Sequence, residues 1–278
     1  MLYHGLPARI FGKFDCYRGL EVAYETIGYE RENGVGIITL NRPERRNALN
    51  LVLFREMTRL LDEIAADEEV RVVIITGGEK CFSAGGDLKE IKGGGTSDPD
   101  FLPAARATFK KIENFDKPVI AAINGYCVAG GCEMAISCDL RVAGEDASFG
   151  VSEIRFGALA FGGATQRLPR LIGIGKAKEM HYTGDPIDAQ EAYRIGLINR
   201  LVPPESVMDE ARKLANTLVQ RSPVALKMAK FLINAGMRVD LNTAMEYETE
   251  VSKNLFGSFQ QEAQKAAERE GVYKKIFG

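Results

Sequence analysis

Asn124-Gly125-Tyr126-Cys127-Val128-Ala129-Gly130-Gly131-Cys132-Glu133 follows directly on an apolar run, Val119-Ile120-Ala121-Ala122-Ile123. The run predicts a buried strand. Gly130 and Gly131 then break it and let backbone approach a neighbour closely. Glu133-Met134-Ala135-Ile136-Ser137 predicts a helix. A strand, a tight glycine turn and a helix start leave free N–H groups pointing one way, and the helix dipole adds partial positive charge there. Such a place can hold a developing oxyanion, with Glu133 one turn into the helix beside it. Read alone, the same ten residues also suit a plain strand-to-helix connection with a surface glutamate.

A second carboxylate, Glu153, lies 20 residues on, at the end of another predicted element. Two carboxylates facing one water divide labour. One takes a proton and the other supplies one, and their repulsion drives their pKa values apart. Periodicity alone does not bring Glu133 and Glu153 together, and two unrelated surface glutamates fit the same spacing.

Outward from this centre, the pattern predicts an exposed strand over Val22–Glu32 and a second strand over Val35–Leu40. Asn33-Gly34 between them is a hairpin signal. Leu51, Phe54, Met57, Leu60, Leu61 and Ile64 form one face of a core helix. Val70–Thr76 reads as a buried strand, and Gly86-Asp87-Leu88-Lys89 as an acidic first turn of a helix. Gly93–Asp98 lacks the Gly-Lys-Ser/Thr ending of a phosphate loop and reads as a lid or linker. A helix over Leu102–Phe115 leads back to Val119. Strands are expected at Leu140–Ala143, Ala147–Glu153 and Leu197–Val202. A capped helix starts at Asp188, and Gly196 is its stop. From Ser206 to Lys275 only helical patterns occur, with Pro204 and Pro223 as first helical residues. The apolar runs at Val35, Arg71 and Lys117 start 36 and 46 residues apart, each leading into a turn and a helix. This loose strand-strand-helix repeat is the mark of stacked superhelical turns.

The 278 residues suit one domain with an appendage, and 45% hydrophobic with 27% charged residues is ordinary globular composition. A net charge of −2 argues against a general electrostatic grip on nucleic acid. No apolar run approaches a membrane span, and the first residues lack a signal-peptide core. Five cysteines without framework spacing predict reduced thiols and a cytoplasmic setting. The two histidines, His4 and His181, are remote from the cysteine cluster, so neither a metal site nor a Cys-His nucleophile is expected.

Several segments together resemble the crotonase superfamily, and enoyl-CoA hydratase most. They are Leu40-Asn41-Arg42-Pro43 with Asn47-Ala48-Leu49, Phe82 to Leu88, Pro118 to Asp139, Thr165 to Arg170, and Thr183-Gly184 with Ala189, Glu191-Ala192 and Gly196-Leu197. The match covers roughly residues 22 to 256. The resemblance implies an α/β fold, a crotonase-like spiral of repeated strand-strand-helix turns with a C-terminal all-helical oligomerisation region. It divides the chain into an N-terminal extension (1–21), a spiral core (22–202) and a helical trimerisation region (203–278). It implies an acyl-CoA thioester as substrate, a homotrimer or dimer of trimers, and no metal or cofactor beyond the CoA of the substrate. Carried over by position, Gly86 and Gly130 would supply the oxyanion N–H groups. Glu133 would activate water towards C3 and Glu153 would deliver a proton to C2. Arg46, Ala48, Ala84, Asp87, Leu88 and Lys89 would line the CoA arm.

The chain departs from the family pattern at Ala160-Phe161, where relatives commonly carry Pro-Gly. Phe161 is therefore expected either to shape the acyl pocket or to pack under its turn. Hydration of a 2-enoyl-CoA is the first reading. A hydratase, isomerase or ring-opening hydrolase for a cyclic or unusual enoyl-CoA is the alternative. An RNA-binding relative on the same shell is a third reading, which the net charge and the two glutamates oppose.

Overall fold

The computed structural model describes residues 24–92 and 99–253. The expected extension at 1–21, Cys16, the glycine loop at 93–98 and the pattern beyond 253 lie outside these residues. Two strands, β1 (Ile27–Glu32) and β2 (Val35–Leu40), pair antiparallel through the Asn33-Gly34 turn. Both turn residues have positive φ, 48° and 81°, the hairpin geometry that Asn-Gly favours. β1 starts later than the Val22 expectation, because the N–H groups of Glu25 and Thr26 donate to the Glu56 carboxylate instead of to a strand.

From β2 onward the chain climbs in turns. β3 (Val72–Thr76), β5 (Val119–Ile123), β7 (Leu140–Gly144) and β10 (Arg200–Val202) add to β2 in parallel, in the order β1-β2-β3-β5-β7-β10. After each of β3, β5 and β7 the chain crosses into a second sheet as β4 (Cys81–Ser83), β6 (Tyr126–Val128) and β8 (Ser148–Gly150), closed by the antiparallel β9 (Ile187–Asp188). The repeat read from the sequence is this circuit: one strand in each sheet, then a helix.

The first sheet is buried on both faces, and its residues sort by the period of two. Ile38, Val73, Ile75, Val119, Ala121 and Ile123 face one core, shared with helices α1 (Leu51–Ala66), α3 (Phe101–Glu113) and α4 (Gly130–Ser137). Ile37, Val72, Ile74, Ile120, Ala122 and Val142 face the other, covered by Val207, Ala211 and Ala215 of α8 (Val207–Val219). The first helix of the C-terminal run therefore buries its apolar face on its own chain. α9 (Pro223–Gly236) contributes no buried residue, and residues 241–253 are also helical.

α1 starts at Asn50, whose side chain accepts from the Leu53 N–H at 2.9 Å, an N-cap. Its apolar stripe is the expected one, and the Phe54 ring meets Phe101 and Phe109 edge-on at 5.5 and 5.7 Å. Arg141, buried, donates to the carbonyls of Cys138 and Leu197 at 2.8 and 2.6 Å, tying the end of α4 to the approach of β10.

Two strand expectations are corrected. Ala147–Glu153 is a strand only over Ser148–Gly150, because its ladder with β6 ends at Val128, just before α4 opens, and β9 reaches only Ser148 and Phe149. Glu153 sits instead on a 3₁₀ turn, Ser152–Phe156, closed by Gly157. Leu197–Val202 is a strand only from Arg200. The N–H groups of Leu197 and Ile198 close the end of helix α7 (Ala189–Arg194) by donating to Ala192, so they are lost to the sheet.

Phe54→Ala removes a fully enclosed ring and both edge contacts. The expected loss is about 3–5 kcal/mol of unfolding free energy, read as a lower urea midpoint at unchanged slope. A loss under about 1 kcal/mol contradicts this account of the core.

Candidate active site

The site grows from two backbone turns that meet. In the first, Leu49 makes a parallel bridge to Gly86: its N–H donates to Gly85 O at 2.8 Å and its C=O accepts from Asp87 N at 2.8 Å. Both bonds flank Gly86, so the N–H of Gly86 itself points away from Leu49. In the second, β6 ends at Val128 and α4 opens at Gly130. Ala129 joins them at φ 49°, ψ −127°, a region an L residue enters only under strain, which collects at functional turns. Gly130 is the first residue of α4, so its N–H has no acceptor within the helix. A Cβ built on Gly130 would stand 3.4 Å from the Gly86 nitrogen. The two N–H groups named from the sequence are therefore neighbours at the mouth of one helix.

Glu133 follows one turn later, and its N–H donates to Ala129 O at 3.0 Å. It is not a surface residue: 4% of it is exposed. Its Oε1 accepts from the Ala164 N–H at 3.1 Å, at the start of helix α5 (Ala164–Ile172). Burial pushes the Glu133 carboxyl above the ordinary glutamate value. The N–H groups of Ala164, Gly162 and Gly163 and the Arg167 guanidinium oppose that rise. A Cβ on Gly162 would come within 2.5 Å of Glu133 Oε2 and 2.4 Å of the Phe109 ring, so only glycine admits this approach. Arg167 fixes the same loop by donating to Gly162 O at 2.7 Å and to Glu113 at 3.0 Å.

Glu153 comes to this place from the 3₁₀ turn. Burial pushes its carboxyl up to about 7, and the neighbouring Glu133 carboxylate adds to the rise. Glu153 and Ala160 border a cavity of about 350 Å³ with largely apolar walls. The thiol of Cys132, buried between the elements, feels both glutamates and is raised to about 12 by burial first. Cys81, Cys127, Cys132 and Cys138 are all buried and unpaired by disulfide.

The remaining predicted residues divide. Arg46, Ala48, Ala84 and Asp87 form one tied unit. Ala84 N donates to Arg46 O at 2.9 Å, and Arg42 joins the Ala48 carbonyl to the Asp87 carboxylate. Burial raises the Asp87 carboxyl, but Arg42 and the Lys89 N–H outweigh it and hold it below the ordinary value. The Arg46 guanidinium lies 5.8 Å from the centre of the Tyr126 ring. Leu88 and Lys89 open helix α2 (Leu88–Lys92) and are exposed. Phe161 is 43% exposed and does not line the cavity beside Glu153, while its carbonyl accepts from Arg106 at 3.0 Å. Pattern reading gave no role to Gly162, Arg167 or His181. The Gly162-Gly163 pair before a helix was the one local signal for the first. Among the described residues no cluster of three or more His, Cys, Asp or Glu is placed to hold a metal ion. None of their helices is long and apolar enough to cross a membrane.

A family model described as enoyl-CoA hydratase/isomerase matches residues 30–274. The chain is 44% identical over 231 residues to a short-chain-enoyl-CoA hydratase of Clostridium acetobutylicum, covering 82% of this chain and 88% of that one. It is 39% identical to a crotonyl-CoA hydratase of Syntrophomonas wolfei, covering 82% and 89%. The crystal structure of an enoyl-CoA hydratase from Bacillus anthracis superposes with a TM-score of 0.85 at 37% identity, over 89% of this chain and 97% of that one.

The raised Glu153 carboxyl links stability to pH. Its folded value of about 7 lies above the ordinary 4.5, so the folded state binds the proton more tightly. Stability then falls as pH rises from about 4.5 through about 7. Glu153→Gln removes that penalty. The variant is expected to gain up to about 3 kcal/mol over the parent at pH 8 and almost nothing at pH 4.5, by urea unfolding. Equal differences at both pH values contradict the burial of this carboxyl.

Proposed function

The chain belongs to the enoyl-CoA hydratase/isomerase family, and on that footing we propose that it adds water across the C2=C3 bond of a 2-enoyl-CoA thioester. The observation that carries this reading is the pairing of a buried carboxylate, Glu133, with the half-buried Glu153, whose charges feel each other, beside the adjacent N–H groups of Gly86 and Gly130. The thioester oxygen accepts from both N–H groups. Negative charge grows on it as the enolate forms, so donors fixed there favour the transition state over the ground state.

Glu133 is the base. Its three N–H neighbours and Arg167 work to keep the anion available against burial. It takes a proton from water as the water oxygen attacks C3. Glu153, with a carboxyl near 7, keeps its proton in about half of the molecules at neutral pH, and that form delivers it to C2. One C–O bond and one C–H bond form, the double bond is consumed, and Glu133 ends protonated with Glu153 ionised. Proton exchange with water resets the pair. No metal or separate cofactor enters these steps, since the two N–H groups polarise the carbonyl.

The CoA arm runs along Arg46, Ala48, Ala84 and the Asp87–Lys89 segment. A short acyl group is the substrate, in keeping with the short-chain and crotonyl names of the relatives. The enzyme works in the cytoplasm as a trimer or dimer of trimers. Support for assembly comes from Val224, Phe231, Ile233, Met237, Leu241 and Met245, apolar residues exposed along α9 and residues 241–253. Apolar surface of this extent is a mark of interfaces.

Glu133→Gln and Glu153→Gln are each expected to lower kcat on crotonyl-CoA by at least about a hundredfold, with small changes in KM. The assay is loss of the conjugated thioester absorbance. The double variant falls well short of the product of the two losses, because both groups serve one water. Near-full hydration by Glu133→Gln with loss in Glu153→Gln would overturn Glu133 as the base.

A further inference from the structure

Two buried polar atoms border one apolar space. Glu153 Oε2 and His181 Nε2 are both sealed from solvent and have no hydrogen-bond partner among the described residues. Both residues line the cavity of about 350 Å³ whose other walls include Val151, Leu159, Ala160 and Ala177. His181 lies on helix α6 (Ile174–Thr183), which packs against the 3₁₀ turn that carries Glu153. Lys178 and Tyr182 also border the cavity, but both are exposed to solvent.

A buried polar atom left without a partner destabilises the fold, because it has lost its water and gained nothing in exchange. The aliphatic walls offer no compensation, and Thr165, which also lines the cavity, is exposed and pairs with Gln166. A carboxyl oxygen accepts, and an imidazole nitrogen accepts or donates according to its tautomer. The space is large enough to hold water, and a water that reaches both atoms satisfies them with one molecule.

We propose that His181 is a positioning residue for Glu153, acting through a water held in this cavity between Nε2 and Oε2. The water donates one hydrogen to Oε2 and uses its oxygen or second hydrogen on Nε2. Oε2 is then occupied as an acceptor, and the transferable proton of Glu153 is kept on Oε1. No bond to His181 forms or breaks, and its charge does not change. The inference rests on Glu153 being the proton donor to C2. Nothing in the pattern around His181 marks it: it is one residue of a helix whose buried face is Ala177 and Met180.

The test uses His181→Val and His181→Gln in the full-length protein, with kcat and KM measured on crotonyl-CoA. His181→Val fits the apolar wall and is expected to keep or raise Tm while kcat falls about tenfold or more and KM moves less than about threefold. His181→Gln keeps a polar atom in reach of the water and recovers kcat to within about threefold of the parent. On the Glu153→Gln background, His181→Val adds no further loss, since it acts only through Glu153. A His181→Val enzyme within about twofold of the parent in kcat overturns the proposal. So does the same added loss on both backgrounds. If Glu153→Gln abolishes hydration while His181→Val is unaffected, the relay alone fails. If Glu153→Gln keeps full activity, the assignment of Glu153 fails and the relay with it. A crystal structure at a resolution that orders water reads the proposal without any variant. One water within about 3.2 Å of both atoms is expected, and its absence overturns the proposal.

Discussion

The site is organised around one carboxyl group held where water is scarce. Glu133 is enclosed by α4, the Phe109 ring and the Gly162–Ala164 loop, and burial by itself would neutralise it. Three backbone N–H groups and one guanidinium oppose this. Each of them needs the loop in a fixed place, and Arg167 fixes it by gripping Gly162 O and Glu113 together. Without that grip the loop carbonyl would lose its partner and the N–H groups their fixed place. The helix that carries Glu133 is anchored at its other end by Arg141, a buried cation satisfied by carbonyls.

The spiral supplies what no single segment could. Each circuit crosses from one sheet to the other, and the crossings bring Gly86 of one turn beside Gly130 of the next and Glu153 of the one after. The carboxylates are unlike because their surroundings are. Glu133 has four opposing groups, whereas Glu153 has its own N–H and a like charge nearby. The proposed mechanism uses that difference, with Glu133 as base and Glu153 as acid.

Much of this was legible in the chain. Asn33-Gly34 set the hairpin, the α1 stripe was read residue by residue, and the runs at Val72 and Val119 proved fully buried strands. The junction at Gly130 gave both the free N–H groups and the helical place of Glu133. The second sheet was hard to see because three-residue strands carry too little periodicity. Glu153 reads as strand because a ladder's end depends on its partners, and neither β6 nor β9 adjoins it in sequence. The Arg42–Asp87 pair spans 45 residues and the Arg167–Glu113 pair 54, so neither leaves a local pattern. The meeting of the two glutamates is of the same kind: it is a property of stacked turns, and only the resemblance to a known family anticipated it.

The central claim is that one buried carboxyl is ionised and its neighbour protonated in the same resting site. The pH dependence of kcat/KM on crotonyl-CoA reports the ionisations of the free enzyme directly. The account predicts a bell. Its acid limb marks protonation of Glu133. Its alkaline limb, near pH 7, falls about tenfold per pH unit as Glu153 loses its proton. A profile that stays flat from pH 6 to about pH 9 would contradict it.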